Sequence, residues 1–364
     1  MKIKDFIDYE QPNEYIVESD RYSSKYSTPV LTAGLSFILG YTNESKGIYE
    51  KGPCIIFDDF TTSVHYVDFP FKVKSSAMKI LTTKSNADLK YCYYLLLSVS
   101  KMPPNHKRQW ISTTSEKNHV LPSMDRQISI VKQLDLISNT IANYTNQIEN
   151  LDNLVKARFV EMFGDPEENP FNWEKTLLTK VIINANNGMA RRGNDKDGNI
   201  VMRLVELQDG YIDYSNPNRI ILKDNEKKRY LLKDKDFLFA RVNGNPDNVG
   251  RCAVFHDIGE DVYHNDHIIR VHFDEELLNG TFASALFNSD YGKKQLKSQI
   301  KTSAGQYTVS QDGIGAIATI LPPAKLQNQF ADFVHQVDKS KLAVQKSLDK
   351  TQQLFDSLMQ EYFG

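Results

Sequence analysis

An internal repeat of 44 residues constrains this chain more than any other feature. Residues 121–164 and 321–364 align without a gap at an offset of 200 positions, and both copies begin with Leu-Pro and end with Phe-Gly. The identical pairs are Leu121/Leu321, Pro122/Pro322, Gln127/Gln327, Leu154/Leu354, Glu161/Glu361, Phe163/Phe363 and Gly164/Gly364. Identities at both boundaries make chance a poor explanation. The chain therefore contains one structural unit twice.

Each copy predicts a long helix, because its apolar residues recur in steps of three and four, as in the seam of a coiled coil. The first copy has them at Ile130, Leu134, Ile137, Ile141, Tyr144, Ile148, Leu151 and Val155. The second has them at Phe330, Val334, Val337, Val344, Leu348, Phe355, Leu358 and Tyr362, with interruptions at Lys341 and Thr351. Proline suits a first helical turn and glycine a helix end. We expect two helices of roughly 40 residues, each about 60 Å long.

An apolar stripe on a long helix needs a partner, and the other copy is the obvious candidate. We expect an α+β protein in which two mixed domains are separated by two antiparallel coiled-coil helices with pseudo-two-fold symmetry. The predicted limits are 1–120 and 165–320 for the domains, and 121–164 and 321–364 for the helices. The residues expected to form the helix seam and to bind partners are Ile130, Leu134, Ile137, Ile141, Ile148, Val334, Val337, Leu348 and Phe355. A simple oligomerisation device is the alternative, and a domain before each helix argues against it.

Both domains show strand patterns followed by a helix. In the second domain, strands are predicted over 236–242, 252–255 and 267–273, and one helix over 282–297. In the first, strands are predicted over 54–57 and 77–81, and a helix over 87–99. The first domain is shorter by about 36 residues, since 120 residues precede its helix against 156 in the second.

Composition excludes several classes of protein. With 40% hydrophobic and 25% charged residues, the chain has the balance of a folded protein. No apolar run approaches the roughly 20 residues of a membrane span, and the N-terminus does not resemble a signal peptide. Three widely spaced cysteines form neither a disulfide framework nor a metal motif. We expect a reduced, cytoplasmic protein without a membrane partner.

Charge alone does not identify a ligand, because the formal net charge is −2. Phosphate binding needs basic residues gathered on one face, and a neutral total does not exclude such a face. Local basic clusters do occur; they comprise Lys101, Lys107 and Arg108, then Arg191 and Arg192, then Lys293, Lys294, Lys297 and Lys301.

Motifs of catalysis are absent from the sequence. There is no phosphate-binding GxxxxGK[ST] loop and no GxSxG elbow. Asn169-Pro-Phe lacks the second proline of a base-methyltransferase motif. We interpret His264 and His267 as surface residues and Asp58-Asp59 as a turn. The sequence therefore predicts no catalytic residue, no cofactor and no metal.

At this point the chain resembles the specificity (S) subunit of Type I restriction–modification enzymes. The resemblance rests on Leu-Pro heading both helices, Phe163-Gly-Asp-Pro after the first, the run 235–242, and Ser303-Ala-Gly-Gln before the second. It implies a subunit that binds double-stranded DNA at a bipartite site, two methyltransferase (M) subunits along its helices, and restriction (R) subunits. The complex would methylate adenine, or cleave DNA when both strands lack methylation. The short first domain departs from the usual near-equal sizes.

Two domains on a rigid spacer predict two short recognised sequences separated by bases that are not read, with the domains about 34–36 Å apart on one face of DNA. Arginine pairs with guanine and amides pair with adenine. The residues we expect at DNA are Thr61, Thr62, Ser63, His65, Arg108, Gln109, Trp110, Arg191, Arg192, Arg241, Asn243, Asn245, Lys301, Thr302, Gln306 and Tyr307. The alternatives are a coiled-coil adaptor whose globular domains bind proteins, and a DNA-modifying enzyme that acts alone.

Overall fold

The fold is described from a computed structural model, which covers residues 1–32, 36–100, 107–303 and 305–364. The chain divides into two compact units. Unit 1 comprises Met1–Asn146 and Gln345–Gly364, and unit 2 comprises Gln147–Val344. None of the helices in the described ranges is both long and apolar enough to cross a membrane.

Unit 1 is built on a four-stranded antiparallel sheet of order β1-β7-β4-β5, beside a smaller sheet of order β3-β2-β6. The strands are β1 Ile7–Glu10, β2 Thr28–Leu31, β3 Ile38–Thr42, β4 Cys54–Asp58, β5 Val64–Val67, β6 Lys72–Val73 and β7 Met78–Thr83. Helix α1, Leu89–Val99, covers one face of the larger sheet, and the Asp88 carboxylate accepts the Tyr91 amide at its start. The strands and helix predicted for the first domain are confirmed.

Unit 2 contains a four-stranded antiparallel sheet of order β14-β12-β16-β9. The strands are β8 Glu174–Leu177, β9 Ile182–Asn187, β10 Asn199–Met202, β11 Arg219–Ile220, β12 Phe237–Ala240, β13 Val242–Asn243, β14 Cys252–Val254, β15 Val262–His264, β16 Ile268–Phe273, β17 Lys301–Ser303, β18 Gln306–Thr308 and β19 Ala318–Leu321. The three strands predicted here are confirmed as β12, β14 and β16. The order β9-β16-β12-β14 repeats the order β1-β7-β4-β5, so the two domains share one topology.

The helices of unit 2 correct one prediction. They are α3 Asp224–Tyr230, α4 Gly280–Asn288, α5 Asp290–Ser298 and α6 Gln311–Gly315. The single helix predicted over 282–297 is therefore wrong, because Ser289 is extended and its hydroxyl accepts the Gly292 amide as the cap of α5. A β-carbon at Gly292 would lie 2.3 Å from the α-carbon of Phe287, so only glycine fits this tight junction.

The repeat forms two helices of 40 residues, α2 Met124–Phe163 and α7 Ala324–Phe363, which confirms the predicted lengths. Gly164 ends α2 in the left-handed conformation, with φ of +74°. In unit 1, Tyr362 of α7 donates a hydrogen bond to Gln133 of α2. In unit 2, Lys341 of α7 forms an ion pair with Asp152 of α2 at 2.6 Å. In unit 2 the Arg158 guanidinium of α2 also lies over the Phe333 ring of α7, at 5.7 Å from its centroid, so the two helix segments of this unit run in opposite directions.

The predicted seam residues are all buried or half-buried. Ile130, Leu134 and Val337 are buried. The others are half-buried, while most residues between them are exposed; they are Ile137, Ile141, Ile148, Val334, Leu348 and Phe355. In a pair of helices, each apolar stripe is covered on one side only. Most seam residues are half-buried for that reason. Their role in binding partners stays a prediction.

The C-terminal ends of the long helices complete the cores of the domains. In unit 1, the Phe363 ring lies 5.2 Å from Tyr91 and the Phe355 ring 6.2 Å from Tyr94, both residues of α1. In unit 2, the Phe163 ring lies 4.7 Å from Phe282 of α4. Phe163 and Phe363 are an identical pair of the repeat, and each packs against the helix that covers the main sheet.

Gln127, in the first turn of α2, joins that helix to the first domain. Its side chain is fully buried. The Asp88 backbone amide donates to Gln127 Oε1 at 2.8 Å, and Gln127 Nε2 donates to the carbonyls of Asn86 at 3.2 Å and Pro122 at 2.8 Å. Three backbone groups of the α1 start and the Leu-Pro turn are thereby satisfied without water.

Gln327, the equivalent residue of α7, makes the same three contacts in unit 2. The Asn279 amide, at the cap of α4, donates to Gln327 Oε1 at 2.9 Å. Gln327 Nε2 donates to the carbonyls of Leu277 at 2.9 Å and Pro322 at 2.7 Å. The identity of Gln127 and Gln327 in the repeat is explained by this shared hydrogen-bonding role.

Replacing Phe355 by Ala is expected to destabilise unit 1 by about 2 kcal/mol, since a half-buried ring that packs on the core is lost. Hydrogen–deuterium exchange of the α1 and β4 amides, together with chemical denaturation, measures the loss. Leu354→Ala is the matched control, because that side chain is 51% exposed on the same helix and should cost less than about 0.5 kcal/mol. Equal effects from both variants would contradict the packing described here.

Replacing Gln127 by Leu should destabilise unit 1 by about 1–3 kcal/mol, because buried backbone groups lose their partners. Gln327→Leu should do the same to unit 2. Exchange rates of the Asp88 and Asn279 amides report each joint separately, and Gln329→Leu, at an exposed position of α7, is the control. Unchanged protection of the two amides would argue against this role.

Candidate nucleic-acid interface

Most DNA-contact residues predicted for the second domain lie at one edge of its main sheet. Because the sheet is antiparallel, β9 and β12 end at the edge where β14 and β16 begin. We call this the loop edge of unit 2 and define it as residues 188–193, 241–251, 265–267, 300–303 and 305–309. Arg191, Arg192, Arg241, Asn243 and Asn245 all belong to it. Lys301, Thr302, Gln306 and Tyr307 belong to it as well, so the fold brings together candidates from three separate stretches of sequence.

A hairpin of β17 and β18 forms part of the loop edge. Strand β18 lies between β13 and β17, and its residue Tyr307 pairs with Asn243 on β13 and with Thr302 on β17. These three residues share one face, and Lys301 and Gln306 lie on the other. Lys301, Thr302 and Gln306 are exposed, and Lys301 has no ionic partner among the described residues. Ala304, between the two strands, lies outside the described residues.

Two arginines converge on the turn before β16. The Arg192 guanidinium contacts Asp266 Oδ1 at 2.6 Å and His267 Nε2 at 3.1 Å, and Arg241 donates to the Asp266 carbonyl at 3.1 Å. Burial lowers the pKa of His267; the two arginines lower it further, while the Asp266 carboxylate raises it. The two guanidinium groups outnumber the single carboxylate of Asp266 that they contact, so the turn presents a basic surface.

Arg191 has a structural role that its sequence context did not suggest. Its guanidinium contacts both carboxylate oxygens of Glu226, at 3.0 and 2.7 Å, and donates to the Ile221 carbonyl. Hydrogen bonding from Arg191 lowers the pKa of Glu226 to about 2. A base that bound Arg191 would have to displace this two-point ion pair, so Arg191 is a weaker candidate than Arg241.

The lysines of α5 are also paired with acidic residues. The ion pairs are Lys293–Asp209 at 3.0 Å, Lys294–Glu167, and Lys297–Asp247 at 2.7 Å. Of this basic run, only Lys301 is unpaired within the described part of the chain. The amides at the loop edge are partly engaged as well: Asn243 Oδ1 accepts the Asn245 amide, and Asn245 Oδ1 accepts the Asp247 amide.

In unit 1, the turn between β4 and β5 occupies the equivalent edge. Asp58 Oδ1 accepts the amides of Phe60 and Thr61, at 3.0 and 2.6 Å, so the carboxylate holds the turn. The interpretation of Asp58-Asp59 as a turn is confirmed. Thr61 and Ser63 are partly exposed, whereas Thr62 is 6% exposed with φ of +60°. Thr62 is therefore a turn residue rather than a free contact.

A buried ion pair anchors this turn. Lys79 Nζ lies 3.0 Å from Asp59 Oδ2, and both side chains are at most 1% exposed. Asp59 Oδ1 accepts the amides of Gln109 and Trp110, at 3.0 and 2.8 Å. Lys79 also donates to Gln11 Oε1 at 3.1 Å. The segment before α2 is thereby fixed to the turn that carries Thr61 and Ser63.

The same connection recurs in unit 2, which extends the repeat beyond its sequence identities. The Gln109 amide donates to the carbonyl of Asp59, the residue after β4, at 2.9 Å. The Val309 amide donates to the carbonyl of Arg241, the residue after β12, also at 2.9 Å. Positions 109 and 309 keep the offset of 200. No residue of 109–120 is identical to its counterpart in 309–320, so comparing the two sequences does not show that these segments are equivalent.

Trp110 is a correction to the predicted contacts. Its side chain is 1% exposed, and its ring lies 5.2 Å from Phe57 in the core of unit 1. A residue in this position cannot reach DNA. Arg108, two residues earlier, is exposed and has no ionic partner in the described ranges. Lys101 of the same basic cluster lies outside the described residues.

His65 lines a small pocket beside the turn. The pocket has a volume of about 330 Å³ and is bordered by Thr61, Ser63, His65 and Leu97. The His65 ring stacks on Phe37 at 3.8 Å, and burial lowers its pKa. His65 is therefore a neutral, stacked side chain at physiological pH.

The surface interpretation is wrong for His264, whereas His267 is partly exposed. His264 is fully buried, its Nδ1 lies 3.1 Å from the Tyr230 carbonyl, and burial lowers its pKa to about 4. His267 instead belongs to the basic turn with Arg192 and Arg241, a role that the sequence did not indicate. No group of three metal-ligating side chains occurs in the described ranges.

Replacing Lys79 by Met should destabilise unit 1 by about 3–5 kcal/mol, because Asp59 is left as a buried, uncompensated charge. Chemical denaturation measures the change in the free energy of unfolding. Lys84→Met removes the exposed Lys84–Asp8 pair and should cost less than about 1 kcal/mol. The double variant with Asp59→Asn should recover part of the loss; no recovery would mean that the two charges are not coupled.

Known proteins with similar sequences are specificity subunits. The chain is 46% identical over 153 residues to the Type I restriction enzyme EcoR124I/EcoR124II specificity subunit of Escherichia coli, a match that covers 38% of each protein. It is 26% identical over 262 residues to the Type I restriction enzyme StySPI specificity subunit of Salmonella potsdam, covering 68% of this chain and 57% of that one. The chain thus matches less than two thirds of these relatives. No protein-family model matches it.

The fold is shared with a solved structure of the same class. The S subunit of the Type I restriction–modification system from M. genitalium superposes with a TM-score of 0.65 at 15% identity, covering 100% of this chain and 95% of that one. This likeness establishes the fold. Together with the sequence relatives, it confirms the resemblance to Type I specificity subunits.

Proposed function

We propose that this chain is the DNA-recognition subunit of a Type I restriction–modification complex, acting in the cytoplasm. One observation carries the proposal: two domains of one topology each join a copy of the same helix and carry polar candidates at the same sheet edge. Duplicated domains with different edge residues suit a site with two different halves. The specificity-subunit relatives support the same reading. The chain would recognise the DNA sequence, and its partner subunits would carry out the reactions on DNA.

The two long helices would act as the spacer. An antiparallel pair with pseudo-two-fold symmetry would present one domain to each half of a bipartite site. Domains that bind the same face of B-DNA must lie about one turn, or 34–36 Å, apart. The helix length would therefore set the number of unread base pairs. We propose domain limits of 1–120 and 165–320, with spacer helices over 121–164 and 321–364.

Contacts to DNA would come from the exposed residues at the equivalent edges. Phosphate contacts set register and base contacts set sequence. In the second domain we propose Arg241, Lys301, Thr302 and Gln306, with Arg192 and His267 as the basic turn beside them. In the first domain, the residues proposed are Thr61, Ser63, Arg108 and the partly exposed Gln109. An unpaired guanidinium or amide discriminates one base by about 1–3 kcal/mol.

Protein partners would bind the outer faces of the helices. Leu154 and Leu354 are an identical pair of the repeat, and they are 47% and 51% exposed. A leucine retained at an exposed position in both copies serves no internal core, so it supports two equivalent sites for the same partner. We propose that these are the two methyltransferase subunits, and that restriction subunits join the assembled complex.

The proposal is tested by mapping methylated adenine in the genome of cells with and without this chain. Removing the chain should abolish methylation at one bipartite motif and leave other motifs unchanged. Methylation that persists without the chain would contradict the proposal and favour the adaptor alternative. Methyl transfer by the purified chain and S-adenosylmethionine alone would contradict the absence of catalysis.

Lys301→Ala should weaken DNA binding and reduce the slope of log affinity against log salt by about one, since one phosphate contact releases one counterion. Affinity of the assembled complex is measured at several salt concentrations. Lys180→Ala is the matched control, because Lys180 is an exposed lysine before β9, at the opposite end of that strand from the loop edge. The same slope for both variants would exclude Lys301 from the interface.

A further inference from the structure

A polar pocket lies on the face of the main sheet of unit 2 that α4 does not cover. Arg270 pairs with Leu238 in this sheet, and Leu238 belongs to the apolar cluster on that face, whereas Phe237 packs with α4 on the other. The pocket has a volume of about 480 Å³, within the roughly 300–1,000 Å³ typical of small-molecule sites. We call it the Arg270 pocket, and the side chains that border it carry a charge, an amide or an imidazole: Asn184, Asn186, Lys233, Asp236, Arg270 and His272.

Arg270 has hydrogen-bonding groups that the rest of the pocket does not use. Its side chain is 15% exposed, and Nη2 donates to Asn184 Oδ1 at 2.8 Å. Nη1 lies 3.6 Å from Asp236 Oδ2, which is too far for a hydrogen bond. The Nε–H group is buried and has no partner in the described ranges. Because a buried donor without a partner costs free energy, this guanidinium favours a ligand that accepts hydrogen bonds.

The charges around Arg270 favour an anion. Asp236 is 1% exposed, and the chain itself engages its carboxylate. Oδ2 accepts the Lys233 amide at 2.8 Å, and Oδ1 lies 3.3 Å from His272 Nδ1. Lys233 is exposed and has no ionic partner among the described residues. Two cations therefore border the pocket against one carboxylate. Arginine binds carboxylate and phosphate groups with two parallel hydrogen bonds, so the pocket suits an oxyanion.

The first domain shows that the shared topology does not require charges at these positions. Counted from the equivalent carbonyls that follow β4 and β12, the strand register equates Cys54 with Asp236 and Ile80 with Arg270. Cys54 and Ile80 are fully buried in one apolar cluster of unit 1. Placing a carboxylate and a guanidinium there instead costs desolvation free energy. A ligand explains the polar groups of the pocket better than the needs of the fold do.

We infer that the Arg270 pocket binds a small molecule through a carboxylate or phosphate group. Arg270 and Lys233 would hold the oxyanion. The buried Asn186 Oδ1, which has no partner in the described part of the chain, would accept a hydrogen bond from the same ligand. The site is separate from the proposed DNA contacts, because Lys233 and Asp236 precede β12, at the end of that strand opposite the loop edge. The inference does not depend on the proposed function.

Titration calorimetry of the full chain with matched probes tests the inference. Succinate and inorganic phosphate supply the oxyanion, and succinamide keeps the shape of succinate without its charge. At least one of the two anions should bind saturably at one site per chain, and succinamide should not bind. Binding of neither anion, or equal binding of succinate and succinamide, would overturn the inference.

Variants at the pocket locate the binding site. Lys233→Glu should weaken binding of the anion about fivefold or more, because a carboxylate then stands at the rim of the pocket. Lys228→Glu is the matched control, since this exposed lysine of α3 does not border the pocket and salt screens distant charges; it should change binding less than about twofold. Arg270→Gln should weaken binding about tenfold or more, and its melting temperature shows whether unit 2 still folds. Equal effects of Lys233→Glu and Lys228→Glu would rule out this site.

A DNA-binding measurement separates a small molecule from a DNA phosphate as the source of the oxyanion. Lys233→Glu in the assembled complex should leave the slope of log affinity against log salt unchanged, in contrast to Lys301→Ala. A slope reduced as by Lys301→Ala would place DNA in the pocket, which contradicts the inference and leaves the proposed function intact. Absence of any chain-dependent methylation would overturn the proposed function and leave the anion site intact.

Discussion

The buried glutamine in the first turn of each long helix is the interaction on which this architecture depends. Gln127 and Gln327 each accept the amide at the cap of a domain helix and donate to two backbone carbonyls. A buried amide or carbonyl that lacks a hydrogen-bond partner costs free energy. Separating a long helix from its domain would break these hydrogen bonds, so the two stay together. The edge residues of each domain are therefore held at a fixed position relative to the start of the long helix that follows that domain.

Aromatic packing at the opposite helix ends adds a second constraint. Phe163 contacts Phe282 in unit 2, and Phe363 contacts Tyr91 in unit 1, so each core takes side chains from a helix end. For unit 1 this helix end is the last part of the chain. The first domain is therefore completed by residues more than 200 positions away in sequence, and its folding is coupled to the second repeat.

The sequence predicts residues that the fold brings to equivalent sheet edges, but it does not show which of them are buried or already paired. Thr61, Ser63, Arg241 and Lys301 do lie at equivalent sheet edges, because turn and strand patterns are local and mark where strands end. Trp110 is a core residue and not a DNA contact, and nothing local in the sequence reveals that its ring fills the core. Arg191 is paired with Glu226, 35 residues away, and no spacing rule predicts such a partner.

The duplication, the two 40-residue helices and the mixed character of the domains could all be predicted from the sequence, since heptad spacing and strand alternation are periodic and need no tertiary information. The folded chain adds that the repeat begins before Leu121 and Leu321, at Gln109 and Val309, whose surrounding residues share no identity. The folded chain also shows which arginines and lysines are already paired. Those properties depend on distances between residues that are far apart in the sequence, and a sequence pattern does not specify such distances.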